Sequence, residues 1–147
     1  MIREAREGDL EVVLRIERAS ETAPHWGEEE YRRILRGDGP VRRCLLVADL
    51  GRVVGFAVGV VVAELGELES VAVEAGARRQ GSGRALCAAV IEWCRGVGAK
   101  AVELEVRAAS GGARRLYEGL GFRQVGARRA YYSAPVDDAV LLRIELE

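Results

Sequence analysis

Residues 65–107 restrict the fold more than any other stretch of the chain. Leu65 to Val73 is a β-rich run, and the loop Arg78-Arg79-Gln80-Gly81-Ser82-Gly83-Arg84 comes after it. Beyond the loop, Ala85, Leu86, Ala89, Val90, Trp93, Cys94 and Val97 recur at three- and four-residue spacing. That spacing predicts a helix opening at Gly81, with an apolar face to lay on a sheet and with Gly96 and Gly98 at its end. Val102-Glu103-Leu104-Glu105-Val106-Arg107 then alternates at period two. A strand there turns its apolar residues to one face and Glu103, Glu105 and Arg107 to the other. Strand, helix and strand in this order predict parallel strands joined by a right-handed crossover. Ligands of such units bind beyond the carboxyl ends of the strands, which is where the glycine loop falls.

The loop suits an anion. Gly81 and Gly83 let the backbone turn and come close to a ligand, and successive N–H groups at a helix start favour negative charge. The arginines add positive charge where a diphosphate would sit. No lysine follows the glycines, so the loop is not the G-x-x-x-x-G-K-[ST] of nucleotide hydrolases, and it lacks the G-x-G-x-x-G of dinucleotide enzymes. Read alone, it also fits an arginine-rich solvated turn in front of an amphipathic helix.

The flanking segments complete the order of elements. Ile2 to Ala5 predicts a short strand, with Gly8-Asp9 as turn and N-cap of a helix from Leu10 to Ala19. Thr22 to Trp26 breaks that helix, and Glu28 to Leu35 carries acids first and arginines last, as a second helix favours. Arg43 to Leu50 and Val53 to Val62 read as strands joined by a hairpin at Asp49 to Arg52. Ser110 can cap a helix from Gly111 to Leu120, ended by Gly121. Two strands, Phe122 to Tyr132 and Ala139 to Leu146, close the chain around a Ser-Ala-Pro-Val-Asp-Asp turn. The predicted order is β-α-α-β-β-β-α-β-α-β-β.

With 147 residues, 49% of them apolar, a single domain over 1–147 is expected. A formal charge of -1 gives no reason to expect nucleic acid or an anionic membrane as partner. Cys44, Cys87 and Cys94 lie in apolar runs and form no C-x-x-C pair, so they read as buried thiols of a cytosolic protein. His25 is the sole histidine, so no metal site is expected. The N-terminus is charged from its third residue and no apolar stretch approaches ~18 residues, so neither a signal peptide nor a membrane span is expected. A cytoplasmic protein, monomer or homodimer, is anticipated.

Arg78-x-x-Gly81-x-Gly83, with Val71-Ala72-Val73 before it, resembles the acetyl-CoA motif and fourth strand of the GNAT (Gcn5-related N-acetyltransferase) superfamily. Leu104 to Arg107, Leu116-Tyr117-Glu118-Gly119-Leu120-Gly121-Phe122, Arg128-Arg129-Ala130-Tyr131-Tyr132 and Asp137-Asp138-Ala139 together resemble RimI-type ribosomal-protein-alanine N-acetyltransferases. The match runs from about residue 65 to the end. The earlier residues fit by element order and by Pro24-His25-Trp26. The resemblance implies an α/β (α+β) GNAT fold, with a mixed, mostly antiparallel sheet of about seven strands, one parallel strand–helix–strand unit and about four helices.

For function, the resemblance implies an acetyl-CoA-dependent N-acetyltransferase acting on a protein or peptide N-terminus by direct transfer. Small-molecule amines, lysine, or a catalytically silent acyl-CoA-binding role are the alternatives. Main-chain groups of Val71, Ala72 and Val73 would pair with the pantetheine arm, and the loop of Arg78, Arg79, Gln80, Gly81, Ser82, Gly83, Arg84 and Ala85 would hold the pyrophosphate. By position, Glu105 would be the general base and Tyr117 the acid that protonates the leaving thiolate. The chemistry agrees, because an amine must lose its proton before attack. An α-amine with pKa about 8 needs ~1.4 kcal/mol for this at pH 7, and a lysine at about 10.4 needs ~4.6 kcal/mol. Without the family context, Glu105 reads as the wet face of a strand and Tyr117 as core. Glu67 and Glu69 are rival bases. Trp26, Tyr131 and Tyr132 either line the acceptor groove or plug the core. Ser110 stands where the family pattern usually has Asn, which leaves a shorter reach to the cofactor.

Overall fold

The computed structural model describes residues 1–20, 23–78, 80–133 and 135–146. In chain order the elements are β1 (Ile2–Glu4), α1 (Leu10–Ala19), α2 (Glu28–Arg36), β2 (Arg42–Asp49), β3 (Val53–Val62) and β4 (Leu65–Val73). They continue with α3 (Ser82–Val97), β5 (Ala101–Arg107), α4 (Gly111–Gly119), β6 (Arg123–Tyr132) and β7 (Asp137–Glu145). This is the predicted order, with 3-10 turns added at Glu7–Asp9 and Ala75–Ala77.

Two predicted caps work differently. Asp9 precedes α1 in a helical conformation and makes no side-chain cap. Its carboxylate instead accepts from the Arg6 N–H at 2.7 Å and from Arg3 at 2.8 Å, and Arg3 holds that carboxyl below its ordinary range. Ser110 stands at the start of α4 without a side-chain cap; its carbonyl accepts the Arg114 N–H at 3.0 Å, the first bond of the helix. Gly96 lies inside α3, and Gly98, left-handed at φ 103°, ends it. Thr22 and Ala134, in two of the predicted turns, lie outside the described residues.

The seven strands form one sheet in the order β1-β2-β3-β4-β5-β7-β6. Every neighbouring pair is antiparallel except β4 and β5. One face packs on α3 and α4 through Leu86, Cys87, Val90, Cys94 and Tyr117, and the other on α1 and α2 through Val13, Leu14, Tyr31 and Ile34. Two such covers account for the unbroken apolar run of β3, which is buried on both sides. Alternation in β2 divides its residues between the covers: Cys44, Leu46 and Ala48 lie under α3, while Leu45 and Val47 lie under α1 and α2. α3 lies close on the sheet because Gly59 and Gly66 face it. A Cβ on Gly59 would come within 2.7 Å of Val90, and one on Gly66 within 2.8 Å of Cys94. Among the described residues, no helix is long and apolar enough to cross a membrane.

Two irregularities in β4 set up everything that follows. Val58 pairs with Ser70 and Gly59 with Leu68, so Glu69 is an extra residue, a β-bulge. The bulge exchanges faces: Gly66 and Leu68 point to α3 before it, and Val71 and Val73 do so after it. The second irregularity is a parting of strands. β4 pairs with β5 only from Leu65↔Ala101 to Glu67↔Glu103, although β4 runs on to Val73 and β5 to Arg107. The sheet therefore opens as a wedge at the carboxyl ends of these two strands.

Candidate active site

The wedge leaves main-chain groups of β4 unpaired, and the ladder on its other side shows which ones. The Glu74 N–H donates to the Val54 carbonyl at 2.8 Å. In an antiparallel pair such bonds recur at every second residue, so Ala72 and Ser70 also turn their N–H groups to β3. Val71 and Val73 then aim theirs into the wedge, and Ala72 presents no amide there. A groove of about 800 Å³ runs past these residues, lined among others by Val71, Val73, Arg78, Gly83, Cys87, Leu116 and Tyr117.

At the far end of the groove the loop enters α3. Gly81 is the N-cap and is left-handed at φ 83°, a conformation that costs most residues with a side chain. The Ala85 N–H bonds to the Gly81 carbonyl at 3.0 Å. The amides of Ser82, Gly83 and Arg84, ahead of it, have no acceptor within the helix. Gly83 lines the groove, and a Cβ there would meet only Leu116 and Val73, both at 3.8 Å. Packing within the protein therefore does not require a glycine at 83. Arg78 Nε donates to the Val73 carbonyl at 3.3 Å, fixing the loop to the end of β4. Gln80 and Arg84 are exposed and Ser82 is buried, and Arg79 lies outside the described residues.

A second, smaller cavity of about 130 Å³ adjoins the groove. The two share Val71, Ser110, Ala113 and Tyr117. Glu69, Glu105, Arg107 and Tyr132 line its remaining polar wall. Glu105 is 25% exposed, with Oε1 3.4 Å from Arg128 on β6 and Oε2 buried without a hydrogen-bond partner. A carboxylate with one free buried oxygen can accept a proton. Tyr117 comes to the junction from the helical side, where it packs edge-on against Phe122 at 5.9 Å. Burial pushes its phenol far above the ordinary tyrosine range, with smaller contributions from Cys87 and Tyr132, so it stays protonated.

The remaining predicted residues separate around this junction. Tyr132 lines the small cavity under Arg107, which lies 4.5 Å from its ring centre, and burial, then Glu105, pushes its phenol up. Tyr131 stands outside, 5.3 Å beneath Arg128. Glu69 is the bulge residue, bound by Arg43 at 3.0 Å. Glu67 sits at the exposed rim and does not line the cavity. Its carboxyl is nevertheless pushed up, first by loss of surrounding water and then by Glu69, Glu105 and Glu103. Trp26 packs on Tyr31 at 5.7 Å and lines neither cavity. His25 is left-handed at φ 57° and its Nε2 lies 2.6 Å from the Ser20 carbonyl. Arg128 and Arg43 received no role from the sequence. The partners they meet are 23 and 26 positions away along the chain, Glu105 and Glu69, and only strand pairing brings them together.

Comparison with known proteins identifies the arrangement. The model of the acetyltransferase (GNAT) family matches residues 10–122, and the chain belongs to that family. It is an N-acetyltransferase, and enzymes of this family take their acetyl group from acetyl-CoA. Among its relatives is the [ribosomal protein bS18]-alanine N-acetyltransferase of Escherichia coli strain K12. That protein is 31% identical over 140 residues, covering 94% of this chain and 92% of the relative. The crystal structure of the ribosomal-protein-S18-alanine N-acetyltransferase from Escherichia coli superposes with a TM-score of 0.82 at 30% identity, over 100% of this chain and 94% of that one. Ard1 from Thermoplasma volcanium gives a TM-score of 0.82 at 32% identity, over 100% and 98% of the two chains.

Proposed function

We propose that this chain acetylates the α-amino group of a protein N-terminus, with Glu105 as general base and Tyr117 as general acid. The observation that carries the proposal is the shared boundary of the two cavities, where Tyr117 belongs to both and Glu105 faces it from the smaller one. The bacterial relatives that match nearly the whole chain, named for acting on an alanine of ribosomal protein bS18, favour a peptide acceptor over a small amine.

In this reading the large groove is the donor side. The Val73 N–H binds the amide-bearing arm of acetyl-CoA, and the first turn of α3 holds its diphosphate. Acetyl-CoA supplies an acetyl group activated as a thioester. Glu105 accepts a proton from the acceptor ammonium, directly or through one water, leaving the nitrogen lone pair free to attack the thioester carbonyl carbon. A β4 amide at the wedge, that of Val71, donates to the carbonyl oxygen as negative charge builds there. As the C–N bond forms and the C–S bond breaks, Tyr117 gives its proton to the departing sulfur, and the second proton lost by the nitrogen restores the phenol, directly or through one water. The modest cost of deprotonating an α-amine, ~1.4 kcal/mol at pH 7, suits a base that is partly exposed and paired with Arg128.

The test is release of free thiol from acetyl-CoA, followed with peptides beginning Ala, Ser and Met set against polyamines and lysine-containing peptides. The expected result is turnover on one or more N-terminal peptides at rates well above those of the amines. Preference for a small amine would reject the protein-terminus reading and leave the acetyltransferase intact.

A further inference from the structure

We infer that Arg43 is a positioning residue for the acceptor: it fixes the side chain of the bulge residue Glu69 and the loop bearing Trp26, and so shapes the acceptor cavity without entering the chemistry. The inference rests on the reading above in one respect, that the acceptor enters beside Glu69. Arg43, on β2, gathers groups from three other segments. Its Nε donates to Glu69 Oε1 at 3.0 Å, and a terminal nitrogen donates to Glu30 Oε2 of α2 at 2.8 Å. The Cζ of its guanidinium lies over the Trp26 ring, 5.1 Å from the ring centre. Trp26 leans on Tyr31, whose hydroxyl donates to the buried carboxylate of Glu17 on α1. One cation thus ties β4, α2 and the α1–α2 connection to a single point.

Glu69 lines the acceptor cavity and Arg43 does not. As the bulged residue, Glu69 has no partner across the β3–β4 ladder, so the pleat does not dictate where its side chain goes. The fork of Arg43 does. Its side chain is 17% exposed, and for a pair so far out of water the cost of desolvation offsets much of the Coulombic gain. A planar guanidinium held by two carboxylates and lying over a ring, by contrast, restricts orientation strongly. The arrangement is therefore better suited to setting the shape of the cavity than to holding the fold together.

Three variants test this by steady-state kinetics with the best N-terminal peptide of the panel. Arg43→Met keeps the apolar stem over Trp26 and removes the fork. It is expected to raise the peptide KM about tenfold, as misplacement of a binding wall does, with the acetyl-CoA KM unchanged and kcat within about threefold of the parent. Arg43→Lys retains one charge contact and should recover much of the loss. Glu69→Gln breaks the same link from the other end and should raise the peptide KM in the same direction, which covers the case in which Arg43→Met does not fold. An unchanged peptide KM in both Arg43→Met and Glu69→Gln, an equal rise in both substrates' KM values, or a lysine variant no better than the methionine one would each overturn the assignment. Failure of the peptide reading is distinguishable, because it appears in the parent protein as preference for a small amine or a lysine over every N-terminal peptide.

Discussion

The groove proposed for the donor and the cavity proposed for the acceptor are built from different materials. The groove uses main chain: the Val71 and Val73 amides exposed by the parting of β4 from β5, and the start of α3 after left-handed Gly81. The cavity uses side chains: Glu105 beside Arg128, Tyr132 under Arg107, and Glu69 held by Arg43. A site of main-chain groups accepts one shape of ligand whatever residues drift around it, provided the glycines remain. A site of side chains can be altered one substitution at a time.

The contrast can be broken at either end. The largest effect is expected from Gly83→Glu, which places a carboxylate where the proposed diphosphate sits. Juxtaposed like charges cost several kcal/mol, so acetyl-CoA affinity should fall at least about 1,000-fold by titration calorimetry. The fold should survive, since a Cβ at 83 meets its nearest neighbours, Leu116 and Val73, at 3.8 Å. Undiminished affinity would remove the loop from the donor site. Next comes Glu105→Gln, expected to lower kcat roughly 100- to 1,000-fold with unchanged acetyl-CoA affinity, the usual range for a lost general base. A normal rate would hand the proton to Glu67 or Glu69. Tyr117→Phe should cost less, about 10- to 100-fold in kcat, because a thiolate of pKa about 8.5 is already a competent leaving group. Loss of acetyl-CoA affinity in place of rate would return Tyr117 to packing.

On stability and not on binding or rate, a further effect concerns the core under α3. Burial pushes Cys44 and Cys87 up to about 12 and Cys94 to about 11. Below the ordinary thiol range both the folded and the unfolded chain keep these protons, and the contribution to stability is complete. Above pH about 9 the unfolded chain releases them first, so stability declines by about 1.4 kcal/mol per pH unit for each thiol that differs. Thermal midpoints measured from pH 7 to 11 should hold steady and then fall. A flat profile would mean that the thiols are wetter than the packing of α3 on Gly59 and Gly66 implies.

The same contrast explains what could be read from the amino-acid sequence. Strand and helix order follows from local periodicity, and α1, β3 and β4 have the limits their patterns predicted. The glycine loop was legible because left-handed backbone and close approach select glycine. The bulge at Glu69 was not legible, since it is a property of the β3–β4 pairing and not of the run Leu65 to Val73. The parting of β4 and β5 was hidden for the same reason. Glu67, Glu69 and Glu105 looked equivalent as strand carboxylates, and their differences arise from partners distant in sequence: Arg43 for Glu69, Arg128 for Glu105. Asp9 and Ser110 matched the residue preference for caps, yet Arg3 captured the first and the second left its hydroxyl out of the cap.

A bulge is a matter of counting. The one surplus residue in β4 shifts odd and even, so Val71 and Val73 keep their places over α3 whichever amino acid occupies position 69. That letter can change while the Val71 and Val73 amides stay aimed into the wedge, so the proposed hold on the donor and the proposed choice of acceptor are separable within one strand.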